Sequence, residues 1–518
     1  MQSLLLAHVS ALLLIFGGAL AAVGQTRATA PPKFPSAEKI IEKYLKAMGG
    51  KKRLGTIKDA TYDFIVQLNG QTVGTARMLI KSPASFRSEL TFANGQIISA
   101  TNSSSAWTKG LNGESQTLTK EDSLAAKLQG LLEASHFIDY KKSAVLARVI
   151  AVENDSYVVE FSTRNGAHLK YSFNTKTNLL VRVADDARQA VTRLEDYRPE
   201  QLLIEPHHLR VNIGGTGELV YLLQKVNYNS GLSAALFDAP SSTEALDITS
   251  LLRDVAKNQD DVEQRVTEYA FTQKETDREI NSKGEVKKET VKVYEVFPIA
   301  NRESIQKLIS ENGVPLSAER AAKEERRVQE EFLKAERDKN KDADRAARRR
   351  AERKNKNKDE DEDPEISQFL RACEFVSPRR EQFNNREAIV FDFRPKIGFH
   401  PNDRAESLIA KLVGAVWIDP IDKQVMRLEA RLAEGYKMGG GLLLSLRPGA
   451  AFVMEQTRMA EGLWLPRFAQ INLSVKVLLL AGGDYNKTIE WADYRHFQGT
   501  VSDYKLDAPK GQENKKPE

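Results

Sequence analysis

The stretch Ala415–Leu432, AVWIDPIDKQVMRLEARL, decides how the rest of the chain is read. Ala415–Ile418 is an apolar run containing Trp417. Asp419-Pro420-Ile421-Asp422-Lys423 then supplies turn chemistry, because proline fixes φ and aspartates can hydrogen-bond the backbone of a reversing chain. Beyond the turn the residues alternate. Met426, Leu428, Ala430 and Leu432 fall on one side and Arg427, Glu429 and Arg431 on the other, the pattern of a half-buried strand. Leu169–Val183, LKYSFNTKTNLLVRV, is a fainter copy: strand, polar turn, strand. Two such hairpins at matching places in two halves predict a duplicated antiparallel architecture.

A length of 518 residues predicts two or more domains, 41% apolar residues suffice for ordinary cores, and a net charge of +5 is too small to argue for a polyanionic partner. The N-terminus reads as a secretory signal over residues 1–24, cleaved near residues 21–24, with apolar Ala11–Phe16 and the small residues Ala19-Leu20-Ala21 behind it. Its n-region has no Lys or Arg. A retained membrane anchor is the alternative, and the apolar run is short for a span of about 20 residues. The mature protein is expected to be periplasmic or otherwise exported. Cys373 is the only cysteine, so no intramolecular disulfide forms, and it reads as a buried small hydrophobe.

Residues 25–35 form a Pro-containing linker. The first domain spans 36–240 and opens with Ser36 capping a helix whose Ile40, Ile41, Tyr44, Leu45 and Met48 share one face. Alternating strands follow, punctuated by Asn-Gly hairpin signals at 69–70, 94–95, 112–113 and 165–166. A helix over Ser123–Phe137 interrupts them. The second domain spans 245–506 and begins similarly, with a helix over Leu246–Val266 and a hairpin turning at Asn281-Ser282-Lys283-Gly284. Charges of both signs crowd residues 317–363, including Arg348-Arg349-Arg350 and Asp359–Asp363, which predicts a solvated helix fraying into disorder. Those signs are interleaved and no aromatic residues alternate with the basic ones, so no nucleic acid is expected as a partner. Strands resume at Ala388 and end near Phe497, and residues 507–518 are a disordered tail. The fold class is α+β: two antiparallel unclosed β-barrel (half-barrel) domains, each with helices covering the concave face.

No motif nominates an enzyme. His207-His208 is the only close histidine pair, and neighbours on a strand point to opposite faces, which makes joint metal ligation awkward. His-Glu-x-x-His, paired cysteines and Gly-x-Ser-x-Gly are missing, and Gly214-Gly215-Thr216-Gly217 lacks the lysine and helix of a phosphate loop. No cofactor and no metal is expected. The sequence does offer sheet faces rich in large apolar side chains. Helices can cover such a face and leave only core. Alternatively, a curved, incompletely closed sheet leaves an apolar concavity for an acyl chain, each buried methylene contributing about 0.8 kcal/mol. Size and strand phase choose Phe64, Phe92, Trp107, Tyr171, Trp417, Leu428, Leu473 and Val475 as its lining.

These residues also carry a family likeness. Ala37–Asp59, AEKIIEKYLKAMGGKKRLGTIKD, resembles the opening of the periplasmic outer-membrane lipoprotein-sorting and carrier proteins (LolA/LolB-like). So does the closing run of the first half: Glu195-Asp196-Tyr197, Glu205-Pro206-His207-His208-Leu209, Val226-Asn227-Tyr228 and Phe237-Asp238-Ala239-Pro240. Trp417–Glu429, Glu461–Arg467 and Asp493-Tyr494-Arg495 repeat that grammar in the second half. The resemblance implies an unclosed, roughly eleven-stranded barrel, helices lidding a hydrophobic cavity, and lipid or lipoprotein acyl chains as partners. The family's carriers are single-domain, this chain reads as two tandem copies with a charged insertion, and no cargo-gripping arginine is carried over. The expected function is therefore an exported, non-enzymatic carrier or sensor of acyl chains. An interaction protein using the insertion to contact an envelope protein is the alternative, and a hydrolase stands last.

Overall fold

The computed structural model describes residues 34–213, 217–242, 246–266, 268–281, 286–298, 304–335, 364–438, 444–460, 462–477 and 480–497. The expected signal, most of the linker, the tail, residues 336–363 of the insertion and the turns at 214–216 and 282–285 lie outside the described residues.

Two open antiparallel sheets, each 13-stranded, dominate the structure. The first comprises β1 (Asp59–Leu68), β2 (Gln71–Lys81), β3 (Ser85–Phe92), β4 (Gly95–Thr101), β5 (Ala106–Lys109), β6 (Ser115–Thr117), β7 (Leu146–Glu153), β8 (Ser156–Ser162), β9 (His168–Asn174), β10 (Leu180–Asp185), β11 (Ala190–Pro199), β12 (Ile204–Ile213) and β13 (Glu218–Tyr228). The second comprises β14 (Tyr269–Ile280), β15 (Val286–Phe297), β16 (Ile305–Glu311), β17 (Val314–Pro315), β18 (Cys373–Phe383), β19 (Arg386–Pro395), β20 (Leu412–Asp419), β21 (Gln424–Leu432), β22 (Tyr436–Met438), β23 (Leu444–Leu446), β24 (Ala451–Ala460), β25 (Leu463–Val477) and β26 (Leu480–His496).

The strand orders correspond. β3-β2-β1-β13-β12-β11-β10-β9-β8-β7 in the first sheet matches β16-β15-β14-β26-β25-β24-β21-β20-β19-β18 in the second. In each, the first strand pairs with the last at mid-sheet, and the outermost strands do not meet to close a barrel. The helices are few: α1 (Ala37–Ala47), α2 (Lys51–Leu54), α3 (Lys120–Ala134), α4 (Ile248–Val266), α5 (residues 318–335), α6 (Pro364–Ala372) and α7 (Arg404–Ile409). Among the described residues no helix is long and apolar enough to cross a membrane.

Local chemistry accounts for these elements. The Ser36 hydroxyl accepts from Lys39 N at 3.3 Å and so caps α1, which buries Ile40, Ile41, Tyr44 and Leu45. Asn69 and Gly70 have φ of 52° and 79°, the left-handed pair that a tight hairpin requires. The two diagnostic hairpins use the same turn. In one, Asp419 Oδ1 accepts from Ile421 N and Asp422 N at 2.9 and 2.8 Å, and left-handed Lys423 donates to Asp419 O. In the other, Asn174 Oδ1 accepts from Lys176 N and Thr177 N at 3.0 and 2.9 Å, and left-handed Asn178 donates to Asn174 O. A side-chain acceptor facing two successive amides is what both turns need.

Phase and exposure in β21 differ from expectation. A bulge opposite Trp417 and Ile418 shifts the alternation, so Met426 packs with Trp417, Ala415 and Trp464 while Leu428 packs on the other face with Val416 and α4. The charged stripe is not solvated either. Arg427 lies over the Trp417 ring at 5.8 Å and bonds Glu429 and Glu455, and Glu429 meets Lys127 of α3 at 3.5 Å. Arg431 donates twice to Ser103 O, at 3.1 and 2.7 Å. Alternation is present, but both faces are covered: one by α4 and α6, the other in part by Lys127 of α3 and the Ser103 loop of the first half.

The seam between the sheets centres on Arg379, only 3% exposed, which donates to Glu381 at 2.8 Å, Asp392 at 3.0 Å and Thr117 Oγ1 at 2.6 Å. Glu381 also accepts from the Thr117 amide at 2.9 Å, and Asp392 from the Ser105 hydroxyl at 2.5 Å. In β25 Asn472 is buried too, bonded to Asn486, which reaches Arg164 O at 3.0 Å. The described part of the insertion also departs from the reading of a solvated helix: α5 docks on the second sheet, burying Val328 and Phe332 against Ala270, Phe297 and Ile305. Arg379→Met leaves Glu381 and Asp392 buried without their cation, so urea unfolding of the full chain should show a loss of roughly 3–5 kcal/mol. An unchanged midpoint would refute the central role given to Arg379.

Candidate functional site

The inner face of the first sheet carries two apolar clusters that meet. The larger is lidded by α1 and α3: Ile40, Ile41, Tyr44 and Leu45, with Leu128 and Leu132, pack over Val159, Phe161, Leu169, Tyr171 and Phe173. Phe137 is its hub, with ring centroids 5.5 Å from Tyr44, 5.4 Å from Phe161 and 5.2 Å from Tyr171. It is held at φ 59° beside His136 at φ 48°, a conformation that costs a bulky residue about 1–2 kcal/mol and persists because aromatic packing over-determines it.

The smaller cluster has strand residues only: Phe64, Val66, Ala76, Leu209, Tyr221, Leu223 and Val226, with Val73, Leu90, Val211 and Leu219 half-buried beside them. Tyr62, Leu194 and Tyr228 pack against both clusters and make the apolar face continuous. The helices pack on the larger cluster, and the smaller one is built by strand residues alone.

Two carboxyl groups sit where the clusters join. Glu205 of β12, 6% exposed, accepts from Tyr62 Oη at 3.2 Å and Tyr228 Oη at 2.6 Å. Burial pushes its carboxyl up to about 7 against those two hydrogen bonds, and nearby Glu133 adds to the rise. Glu133, at the end of α3, is raised to about 7 by burial. Neither has an ion-pair partner among the described residues. Tyr44, Tyr171 and Tyr197 complete the surround; burial raises all three phenols, and Glu133 contributes at each. Tyr197 donates to Leu180 O at 2.5 Å, whereas the Tyr171 hydroxyl, 0% exposed, has no partner among the described residues.

The residues chosen from sequence are spread over separate clusters. Phe64 lies in the trough and Tyr171 in the lidded cluster. Phe92 is half-buried at the end of β3. Trp107 packs with Ile98, Ala100 and Ala239, donates to Phe237 O at 3.0 Å, and lies under the Arg87 guanidinium. Trp417 and Leu428 occupy opposite faces of the second sheet. Leu473 borders the small cluster of Leu432, Tyr436 and Ala450, and Val475 sits opposite Gly483 and Leu446. The structure joins only Phe64 and Tyr171 along one face, through Tyr62, Leu194 and Tyr228.

Sequence reading passed over Glu133 and took Glu205 only as part of a family motif. Glu205 did carry a signal: it is in phase with Leu209 and Val211, an acid on an apolar stripe. A separate pocket lined by Ile40, Lys43, Tyr157 and Phe173 holds about 10 Å³, room for one water and not for an acyl chain. No group of His, Cys, Asp and Glu able to hold a metal occurs among the described residues.

Searches of known proteins return structural neighbours only. A DUF1329 family protein from Desulfovibrio piger aligns over 39% of this chain and 97% of its own, with 13% identity and a TM-score of 0.28. A LolA superfamily protein from Nitrosomonas europaea aligns over 39% and 98%, with 12% identity and a TM-score of 0.28. No family model and no curated protein matches the sequence. Scores that low leave function to be argued from this chain's own residues.

The raised carboxyls have a consequence for stability. The folded protein holds protons that the unfolded chain has released, so stability is full below about 4.5 and declines as pH rises through about 7. His136 acts oppositely: burial lowers it from 6.5 to about 4, so stability is lost as pH falls below 6.5. Thermal unfolding should therefore show a gain of roughly 1 kcal/mol per carboxyl on going from about pH 8.5 to about pH 6.5, and Glu133→Gln should flatten that rise. A slope unchanged in the variant would contradict the burial of Glu133.

Proposed function

We infer that the protein is an exported cell-envelope carrier or sensor that holds lipid or lipoprotein acyl chains against the inner face of the first sheet, and that its halves are two copies of one plan. The single observation behind the binding reading is the strand-only cluster of Phe64, Val66, Leu209, Tyr221 and Leu223, continuous with the helix-lidded cluster, and we read it as the wall of a trough. An apolar face that helices lid only at one end suits a long, featureless ligand, whose affinity grows at about 0.8 kcal/mol per buried methylene. The corresponding strand orders and the shared turn at Asp419 and Asn174 support duplication.

Lipid extraction and mass spectrometry of protein purified from the envelope should find acyl lipids. Val211→Lys and Leu219→Lys place a charge on the half-buried flank of the trough and should cut the bound lipid by on the order of tenfold. Lipid-free protein that also fails to take up added fatty acid would sink the carrier reading.

The second reading, an envelope interaction protein, draws on the docking of α5. Val328 and Phe332 tie the start of the charged insertion to the second sheet, which gives residues 336–363 a fixed point of departure. Removing 336–363 while keeping α5 should leave lipid binding intact if the protein is a carrier. Loss of a co-purifying envelope protein with no bound lipid in either form would favour the interaction reading.

A further inference from the structure

A net charge of +5 is small for a chain of 518 residues, but it is unevenly placed. Residues 36–58, which hold α1 and α2, carry seven Lys and Arg against Glu38 and Glu42, a net of +5 by themselves. α1 is two-faced. Ile40, Ile41, Tyr44 and Leu45 pack down on the lidded cluster, while Lys39, Lys43 and Lys46, spaced i, i+4 and i+7, share the exposed side. Lys51 and Lys52 of α2 are exposed beside them. The segment 139–142 ties into the same face: Lys141 pairs with Glu38 at 2.7 Å, and Asp139 with Lys51 at 3.3 Å and Lys142 at 2.7 Å. No carboxylate among the described residues pairs with Lys39, Lys43, Lys46 or Lys52. Like charges at i, i+4 repel, so the arrangement is unfavourable for the isolated fold. A lid helix does not need it either. The counterpart α4, which also precedes the first strand of its half and lies on the inner face, carries three basic residues against four acidic ones.

We propose that the exposed face of α1 and α2 docks the protein on an anionic phospholipid bilayer, with the lid of the first half turned toward the membrane. The proposal goes beyond the carrier reading and does not depend on it. The chemistry of the face favours a bilayer over other polyanions. Nearly all its charges are lysines, and its one arginine, Arg53, donates to Leu202 O at 3.3 Å. Lysine presents a compact, hydrated charge that suits a diffuse sheet of phosphates, whereas bidentate capture of a single acidic group uses arginine. The aromatic rings of these segments, Tyr44 and Tyr140, are buried, so none is offered for base stacking. An anionic surface attracts each lysine near it with roughly a fivefold gain in binding. Lys39 and Lys43 also border the small depression over Tyr157 and Phe173, so docking brings headgroups to the rim of the lidded cluster.

The test is sedimentation of the full chain with vesicles of phosphatidylcholine alone and of phosphatidylcholine with about 30% phosphatidylglycerol, at about 0.1 M salt. The anionic vesicles should bind at least about tenfold tighter, and the preference should vanish at about 1 M salt, where charges are screened beyond about 3 Å. Combining Lys39→Gln, Lys43→Gln and Lys46→Gln should bring the ratio to about twofold or less. Combining Lys39→Arg, Lys43→Arg and Lys46→Arg keeps the charge and should keep the preference; circular dichroism confirms that both triples are folded. Equal binding to the two vesicles, a glutamine triple that retains the preference, or an arginine triple that loses it overturns the proposal. Binding to soluble polyglutamate or duplex DNA without a preference for the anionic vesicles overturns it as well and gives the face to another polyanion. Uptake of added fatty acid needs no bilayer and should be unchanged in the glutamine triple, so loss of docking and loss of carrying are read separately.

Discussion

The buried guanidinium of Arg379 is the contact on which the arrangement of the two sheets depends. It joins Glu381 and Asp392 of the second sheet to Thr117 of the first, and Ser105 completes the shell of Asp392. Desolvating three ionised groups is unfavourable, and their mutual attraction offsets it only with good geometry and full hydrogen bonding. That requirement makes the seam specific. A sliding contact would strand a charge, so the sheets dock in one register or not at all. Because the seam covers the face of β19 to β21 opposite α4, these strands are buried on both sides. The first sheet keeps its inner face for its own helices and apolar clusters.

Much of the fold was readable from local chemistry. Ser36, the Asn-Gly pairs and the turns at Asp419 and Asn174 each state their geometry in their own side chains, because caps and turns are short-range hydrogen-bond problems. Period-2 alternation likewise puts Ile389, Phe391 and Phe393 of β19 on one face, and they share one cluster. What alternation could not show was what lay across from the polar stripe. Glu429 and Arg431 read as solvated because their partners, Lys127 and Ser103, are hundreds of residues away. A single bulge then put Met426 and Leu428 on different faces. The likeness of Glu195-Asp196-Tyr197 to Asp493-Tyr494-Arg495 does not follow the strand order: the first lies in β11 and the second in β26, which are not corresponding strands.

The candidate site was less readable than the fold. Size and phase selected Phe64 and Tyr171, which fall along one apolar face, and by the same criteria Trp107 and Trp417, which belong to other clusters. Large apolar residues fill cores everywhere, so they identify a wall without saying which space it bounds. The carboxyls are more informative once seen in place, but Glu133 follows four leucines on a helix that looks like ordinary amphipathic packing. Its distinction is the lack of a counter-charge, which is a property of the folded surroundings.

The pairing of first and last strands at mid-sheet has a consequence for how the chain is assembled. β1 waits for β13, and β14 for β26, so neither sheet has a complete centre until its last strand is made. Long loops must close before those ladders form, and such non-local pairings slow folding. A chain emerging from its N-terminus can finish the first sheet while the second is still two unjoined pieces. The first sheet then offers Thr117 and Ser105 as a ready surface on which β18 and β19 can settle. Vectorial synthesis or export thus favours a sequence of assembly in which the first half serves as a template for the second.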